Sequence, residues 1–119
     1  MKRLALIALL SFLPISTFAV FLDGNEIHKY LSKCNGPDSS SSLCPAAEGY
    51  ILGIYDTLKL IEVVDPDVAD VSDCIPAVSR TQLRDVVARH LEDNPANRHL
   101  DAPILVFNAL KKAWPCAGN

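Results

Sequence analysis

The sequence predicts an all-α protein, a small bundle of four to five helices that form two helical hairpins, each closed by a disulfide. Three observations support this fold class. Apolar residues recur at steps of three and four along several segments, which is the period of amphipathic helices. Almost no segment alternates between apolar and polar residues as a strand does. The 119-residue chain has four cysteines, and an even number in a small exported protein is typical of disulfides.

The first 19 residues have the pattern of a cleavable signal peptide. Lys2 and Arg3 form a positive start, residues 4–13 are apolar except for Ser11, and Thr17-Phe18-Ala19 places small residues at the cleavage site. The apolar segment is shorter than the ~20 residues that a membrane-spanning helix requires. We therefore expect residues 1–19 to be removed, and residues 20–119 to form one exported domain without stable membrane insertion after cleavage.

The charge of this domain limits its partners. Without Lys2 and Arg3, nine of the 11 basic residues remain against 14 acidic ones, so the formal charge of residues 20–119 is −5. Nucleic acids and anionic membranes repel a protein of this charge, so neither is an expected partner.

The first helix is predicted from a capping-box pattern. Asp23 and Glu26 are spaced so that each side chain can bond to the other's backbone N–H. The apolar residues Ile27, Tyr30 and Leu31 follow at helical spacing. This helix ends near Cys34, because Asn35-Gly36-Pro37 cannot continue it.

The second helix is predicted to begin near Cys44. Its apolar positions repeat at helical spacing: Ala47, Tyr50, Ile51, Ile54, Tyr55, Leu58 and Ile61. Gly49 and Gly53 lie inside it, where glycine costs about 1 kcal/mol relative to alanine. We expect another helix to approach closely there.

An acidic loop, which can include one helical turn, is predicted next, over residues 62–73. Pro66 interrupts any helix that continues into this segment. The segment has no basic residue and five acidic ones: Glu62, Asp65, Asp67, Asp70 and Asp73.

Two further helices complete the predicted bundle. Ser79 and Gln82 form a second capping-box pattern, and the third helix continues to Asn94-Pro95. Its apolar face includes His90, which is expected to be a core residue. The fourth helix covers residues 102–113 and ends at Pro115-Cys116.

Helix order predicts the disulfides. Cys34 ends the first helix and Cys44 begins the second, so the two sulfurs lie at one end of a hairpin. Cys74 precedes the third helix and Cys116 follows the fourth, whose ends are also neighbours in an antiparallel pair. The predicted bonds are Cys34–Cys44 and Cys74–Cys116. The spacings of 10, 30 and 42 residues lack the close pairs of zinc sites, so no metal or other cofactor is expected.

Catalytic signals are weak. Cysteines in disulfides cannot act as nucleophiles, and none of His28, His90 and His99 lies in a metal-binding HExxH pattern. No phosphate-binding or nucleophile-elbow motif occurs. Asp56 is the most suggestive carboxylate, and a small hydrolase that uses Asp56 with a histidine is one alternative. The favoured interpretation is an exported binding or structural domain.

The order of the motifs resembles the Rap/Tai family of periplasmic immunity proteins associated with type VI secretion. The resemblance covers the mature chain and rests on these segments in order: Phe21-Leu22-Asp23-Gly24-Asn25; Gly49-Tyr50-Ile51-Leu52-Gly53-Ile54-Tyr55-Asp56 after Cys44; Cys74-Ile75-Pro76; Gln82-Leu83-Arg84-Asp85-Val86-Val87; Leu91-Glu92-Asp93-Asn94-Pro95 with Arg98-His99; and Trp114-Pro115-Cys116 after Ala109-Leu110. It departs from the family in the segment between Asp56 and Cys74, which looks longer than in many relatives.

The resemblance implies a non-enzymatic helical protein of the periplasm, often a homodimer, that binds and inhibits a peptidoglycan amidase effector delivered by sister cells. An alternative is an exported envelope protein of the same fold with no toxin partner. Because variable loops carry specificity and acidic residues steer basic partners, one hypothesis is that the toxin contacts the acidic residues Glu62, Asp65, Asp67, Asp70 and Asp73. The alternative of equal weight is that this segment is only a solvated loop. In that case, the connector at residues 94–99 is the next candidate.

Overall fold

The computed structural model describes residues 22–65, apart from 38 and 40, and residues 74–117. Four α-helices follow one another: α1 (Gly24–Ser32), α2 (Leu43–Val64), α3 (Arg80–Asp93) and α4 (Ala102–Ala113). A single 3₁₀ turn, Pro95–Asn97, connects α3 to α4. Within the described ranges, extended pairing is limited to one antiparallel bridge between Asp23 and Asp101. The predicted all-α class is confirmed, and the predicted signal peptide lies outside the described residues.

The helix starts follow from their capping residues. Asp23 accepts a hydrogen bond from Glu26 N at 2.9 Å, and Glu26 accepts one from Asp23 N at 3.3 Å, so the predicted capping box of α1 is present. Ser79 Oγ accepts a bond from Gln82 N at 3.1 Å. The Gln82 side chain gives no return bond to the Ser79 backbone in the part of the chain described here, so α3 has the cap without the complete box.

The core lies where the apolar faces of all four helices meet. Its largest fully buried side chains are Ile27, Ile51, Val87, Leu91, Val106 and Leu110. Each helix contributes residues at steps of three or four, as expected when one face of a helix is buried. An ion pair between Arg84 and Glu48, with nitrogen and oxygen 2.9 Å apart, ties α3 to α2 beside this core.

Both predicted disulfides are confirmed. Cys34 and Cys44 are joined with Cα atoms 4.9 Å apart, and they close the hairpin of α1 and α2. Cys74 and Cys116 are joined with Cα atoms 5.1 Å apart, and they close the hairpin of α3 and α4. Both separations are usual for disulfides. Each bond stays within one hairpin, so no disulfide joins the two hairpins, and non-covalent contacts determine how they pack together.

The start of α1 is fixed to the segment before α4. Gly24 N donates to Leu100 O at 3.0 Å, Asn25 N donates to Arg98 O at 2.9 Å, and Ala102 N donates to Leu22 O at 2.9 Å. Gly24 is buried at this contact. A Cβ atom on Gly24 would clash with Leu105 Cδ1 and would lie 2.7 Å from Arg98 O. Only glycine allows the first hairpin to approach the second this closely.

Two predictions about α2 are wrong. The helix continues to Val64, so the predicted loop does not begin at Glu62. Pro66 interferes with helical geometry only at and just before its own position, and Asp65 N still donates to Ile61 O at 2.7 Å. The expected close approach at Gly49 and Gly53 is also absent among the described residues: a Cβ on either glycine would meet none of their atoms within 4 Å. Both glycines lie on an exposed face of α2, and the close approach occurs at Gly24 instead.

Candidate functional site

The first candidate surface is the acidic end of α2, which we define as Glu62 and Asp65. Glu62 is in the last turn of the helix, and its carboxylate lies 3.6 Å from Lys59 Nζ. Asp65 is exposed and follows the helix as its C-terminal cap. Asp67, Asp70 and Asp73, the other predicted partner-binding residues, lie outside the described residues. The contact with Lys59 reduces the negative charge that this end of the helix presents.

Exposed apolar residues surround this acidic end, and sequence reasoning did not identify them. Val63 and Val64 have 81% and 76% of their surface exposed, and Leu60 has 62%. Single exposed apolar residues are common, but a group in one place marks an interaction surface. A protein-binding surface typically combines an apolar centre with a charged rim. The acidic end of α2 therefore has the composition of a docking surface. The residues that follow it belong to the segment 66–73, which the structure does not describe.

The second candidate is the connector between α3 and α4, which is held firmly in place. Arg98 donates from Nε to Leu91 O at 2.7 Å, and Asn94 Nδ2 donates to His90 O at 2.8 Å. Both bonds satisfy carbonyl groups at the end of α3, which have no partner within the helix. His99 Nδ1 lies 2.9 Å from Ala96 O within the connector. These bonds fix a short exposed segment whose shape a partner can recognise.

The connector also presents apolar side chains to solvent. Leu100 is 38% exposed, and Ile104, in the first turn of α4, is 50% exposed. Burial lowers the pKa of His28 on α1, and the nearby Arg98 lowers it further, while Glu92 opposes both effects. His28 is thus kept neutral beside this segment at neutral pH.

The outward face of α2 is a third surface. Ala46, Gly49, Gly53, Thr57 and Leu60 follow one another at steps of three and four, and all are exposed. Thr57 Oγ1 donates to Gly53 O at 2.7 Å, so its hydroxyl is turned back towards the helix. Tyr50 and Ile54, by contrast, pack against the core. The glycine face is therefore open, whereas Tyr50 and Ile54 are half-buried against the core.

The structure does not assemble the residues of the hydrolase alternative. Asp56 is exposed on α2 and makes no hydrogen bond to His28, His90 or His99 within the described ranges. His90, expected to be a core residue, is half-buried at the edge between α3 and α4. Across the residues that can be described, no cluster of three metal-ligating side chains is present.

Comparison with known proteins identifies a family. A family model described as Rap1a immunity proteins matches residues 24–116, which include all four helices and both disulfides. Neither a curated protein nor a solved structure matches the chain. None of the helices in the described ranges combines the length and the apolar character needed to cross a membrane.

Proposed function

The chain belongs to the family of Rap1a immunity proteins, and from this membership we propose that it is a periplasmic inhibitor of a peptidoglycan amidase effector of type VI secretion. The match over residues 24–116 is the observation that carries the proposal. The fold agrees with a binding role, because it provides a rigid helical scaffold with exposed apolar and charged surfaces.

Residues 1–19 bear the pattern of a signal peptide that would direct the domain of residues 20–119 to the periplasm. The two disulfides support this location, since such bonds persist in oxidising compartments. A cell-wall hydrolase acts in the periplasm, so its inhibitor has to be present there as well.

A protection assay tests the immunity role. Cells that express a candidate amidase with its own export signal should lyse, and co-expression of the full chain should prevent lysis. A version without residues 1–19 should fail to protect although it binds the purified amidase after oxidative refolding. Lysis in the presence of the full chain, with every candidate amidase, would favour the alternative of an exported envelope protein without a toxin partner.

We place the toxin contact at the acidic end of α2, together with Asp67, Asp70 and Asp73. The exposed apolar residues Val63 and Val64 support this placement, because they supply an apolar centre next to the acidic rim. Asp65→Lys should weaken toxin binding, mainly through a slower association rate that depends on salt. The matched control is Asp93→Lys, which makes the same change of charge at an exposed position at the end of α3, where the carboxylate has no hydrogen bond or ion pair with any described residue.

Reversal of Asp65, Asp67 and Asp70 together should enlarge the effect without unfolding the protein. If Asp65→Lys and Asp93→Lys have equal effects, net charge and not this surface governs binding. Unchanged affinity in the triple variant would move the contact to the connector, where Ile104→Lys is the variant to test next.

We further propose that the protein forms a homodimer through the outward face of α2. The support is the exposed stripe of small residues, centred on Gly49 and Gly53, where a second helix can approach without meeting a side chain. Gly53→Trp should dissociate the dimer in sedimentation velocity, since a large side chain would hold the helices apart. A monomeric wild-type protein at high concentration would refute this proposal.

A further inference from the structure

A groove opens between α3 and α4, on a part of the surface that the proposed toxin contact does not use. It has a volume of about 230 Å³. Its apolar walls are Val86 on α3 and Ala109 and Ala113 on α4. The two alanines lie four residues apart on one face of α4, and their small side chains leave the space unfilled. For scale, an apolar cavity of roughly 150 Å³ holds a benzene molecule. The groove is thus large enough for one aromatic or branched side chain.

The rim of the groove is positively charged, although the domain as a whole is acidic. Arg89 and His90 line it from α3, and Lys112 lines it from α4. Neither Arg89 nor Lys112 has a hydrogen bond or an ion pair with any residue in the described ranges. Asp93 is the one acidic side chain among the residues that line the groove. Two cations therefore face the groove against a single carboxylate.

From this combination we infer that the α3–α4 groove binds the C-terminal end of a partner polypeptide whose last side chain is apolar. The apolar side chain would occupy the space over Val86, Ala109 and Ala113. The terminal carboxylate would lie between Arg89 and Lys112. The groove is open to solvent at its edge, so the rest of the polypeptide can leave it. Charge complementarity favours an anionic occupant, and the apolar walls favour a terminal residue whose side chain is apolar.

The histidine makes the binding depend on pH. The charged groups that face His90 are Arg89 and Asp93 from its own helix and Lys112 from α4. Burial lowers the pKa of His90 and Lys112 lowers it further, while Asp93 acts in the opposite direction. A bound carboxylate favours the imidazolium form. Affinity should therefore increase as the pH falls and His90 becomes protonated.

Binding can be measured by NMR with ¹⁵N-labelled residues 20–119 and small probes. N-acetylphenylalanine should shift the amide signals of Val86, His90, Ala109 and Ala113. A Kd of about 1 mM is expected for a ligand of about 15 non-hydrogen atoms with ordinary efficiency. Its carboxamide should bind roughly tenfold more weakly, because it lacks the charge that Arg89 and Lys112 recognise. Equal affinity for the acid and the amide would overturn the proposed recognition of a carboxylate, as would shifts that map to another part of the surface.

Two neighbouring lysines provide a matched pair of variants. Lys112→Glu should weaken the binding of N-acetylphenylalanine by about tenfold. Lys111→Glu makes the same change of charge in the same exposed helical turn, but Lys111 does not line the groove, so affinity should be nearly unchanged. Similar losses in both variants would show that general charge, and not this groove, attracts the probe. Ala113→Phe should fill the groove and abolish binding.

Two further measurements separate the polypeptide from other ligands. Acetyl-Gly-Gly-Phe should bind at least as tightly as N-acetylphenylalanine. Loss of binding on this extension would show that the groove accepts only a free small acid. Binding of N-acetylphenylalanine should also be tighter at about pH 5.5 than at about pH 8, and a Kd independent of pH would refute the placement of the carboxylate next to His90. Neither a toxin nor a protection assay enters these measurements, so their outcome does not depend on the proposed immunity role.

Discussion

Replacing Gly24 by alanine should strongly destabilise the protein, although the same substitution at Gly49 should not. A Cβ atom on Gly24 would clash with Leu105 Cδ1 and would lie 2.7 Å from Arg98 O and 2.9 Å from Arg98 Cα. The side chain of Leu105 can rotate away, but the two backbone atoms of Arg98 cannot move without disturbing the connector. Overpacking of this kind usually costs about 1–3 kcal/mol.

Instead of overpacking, the start of α1 could move away from the connector, which would also cost free energy of folding. This movement would break the bonds from Gly24 N to Leu100 O at 3.0 Å and from Asn25 N to Arg98 O at 2.9 Å. Each contributes about 1 kcal/mol, and apolar surface under Gly24 would become hydrated. By either route, we expect Gly24→Ala to lower the free energy of unfolding by about 2–4 kcal/mol. For a domain of this size, the melting temperature should fall by at least about 10 °C.

The control for this prediction is Gly49→Ala, where a Cβ would meet nothing within 4 Å. Alanine has the higher helix propensity, so this variant should be more stable by up to about 1 kcal/mol. Urea unfolding followed by circular dichroism, with the disulfides intact and at low protein concentration, gives both free energies. A Gly24→Ala variant within about 0.5 kcal/mol of the wild type would refute the reasoning from close approach. Destabilisation by Gly49→Ala would show that the outward face of α2 is not open.

Three further predictions concern the disulfides, the connector and pH. Replacing Cys74 and Cys116 by alanine should cost about 1.2 kcal/mol more than removing the other disulfide. The two cysteines are 42 residues apart, against 10 for Cys34 and Cys44, and loop entropy gives about 3.9 against 2.7 kcal/mol. Urea unfolding of the two double variants measures the difference. Arg98→Ala should lower the free energy of unfolding by about 1–2 kcal/mol, since it leaves carbonyl groups at the end of α3 without their donor. Hydrogen exchange should show increased opening of that helix end. Burial lowers the pKa of both His28 and His90, so the unfolded chain binds more protons than the folded one. The free energy of unfolding should therefore be greatest above the unfolded pKa of 6.5 and should fall as the pH decreases below it. Replacing both histidines by glutamine should flatten that slope in urea titrations between about pH 5 and 7.

The features that sequence reasoning predicted well are those encoded by residues near one another in the chain. The spacing of Asp23 and Glu26 determines a cap within a single turn, and the period of apolar residues determines which face of each helix is buried. The disulfides followed because helix order alone places Cys34 beside Cys44 and Cys74 beside Cys116. Each inference required only the direction of successive helices, which short connectors largely determine.

The glycines show why other features could not be predicted. Gly49 and Gly53 lie inside α2, where propensity assigns glycine a cost, whereas Gly24 is the first residue of α1 and carries no such signal. Their difference depends on Arg98 and Leu105, which are about 75 to 80 residues beyond Gly24 in the chain. The period of apolar residues indicates which face of a helix is buried. It contains no information on which distant backbone lies against that face, or how closely.

The same limit applies to the binding surfaces. The acidic residues after Asp56 are evident in the sequence. Their proposed role in toxin binding, however, also depends on the exposed apolar side chains of Val63 and Val64 beside them. Val63 and Val64 lie in the segment predicted as a loop, and a loop sequence does not indicate whether its apolar residues are buried, so their exposure at the end of α2 had no signal in the sequence. The groove is a similar case, since it arises from the positions of Ala109 and Ala113 on α4 relative to Val86 on α3.

The contact at Gly24 has a wider consequence because each disulfide closes a single hairpin. The covalent bonds reduce the entropy of each unfolded hairpin, but neither bond determines how the hairpins are positioned relative to each other. That relation depends on the shared core, on the ion pair between Arg84 and Glu48, and on the backbone bonds at Gly24. Of these, the bonds at Gly24 directly join the start of α1 to the connector. A substitution at Gly24 should therefore displace the connector while both disulfides remain formed. The rigidity of the connector as a candidate binding surface thus depends on the contact between the two hairpins.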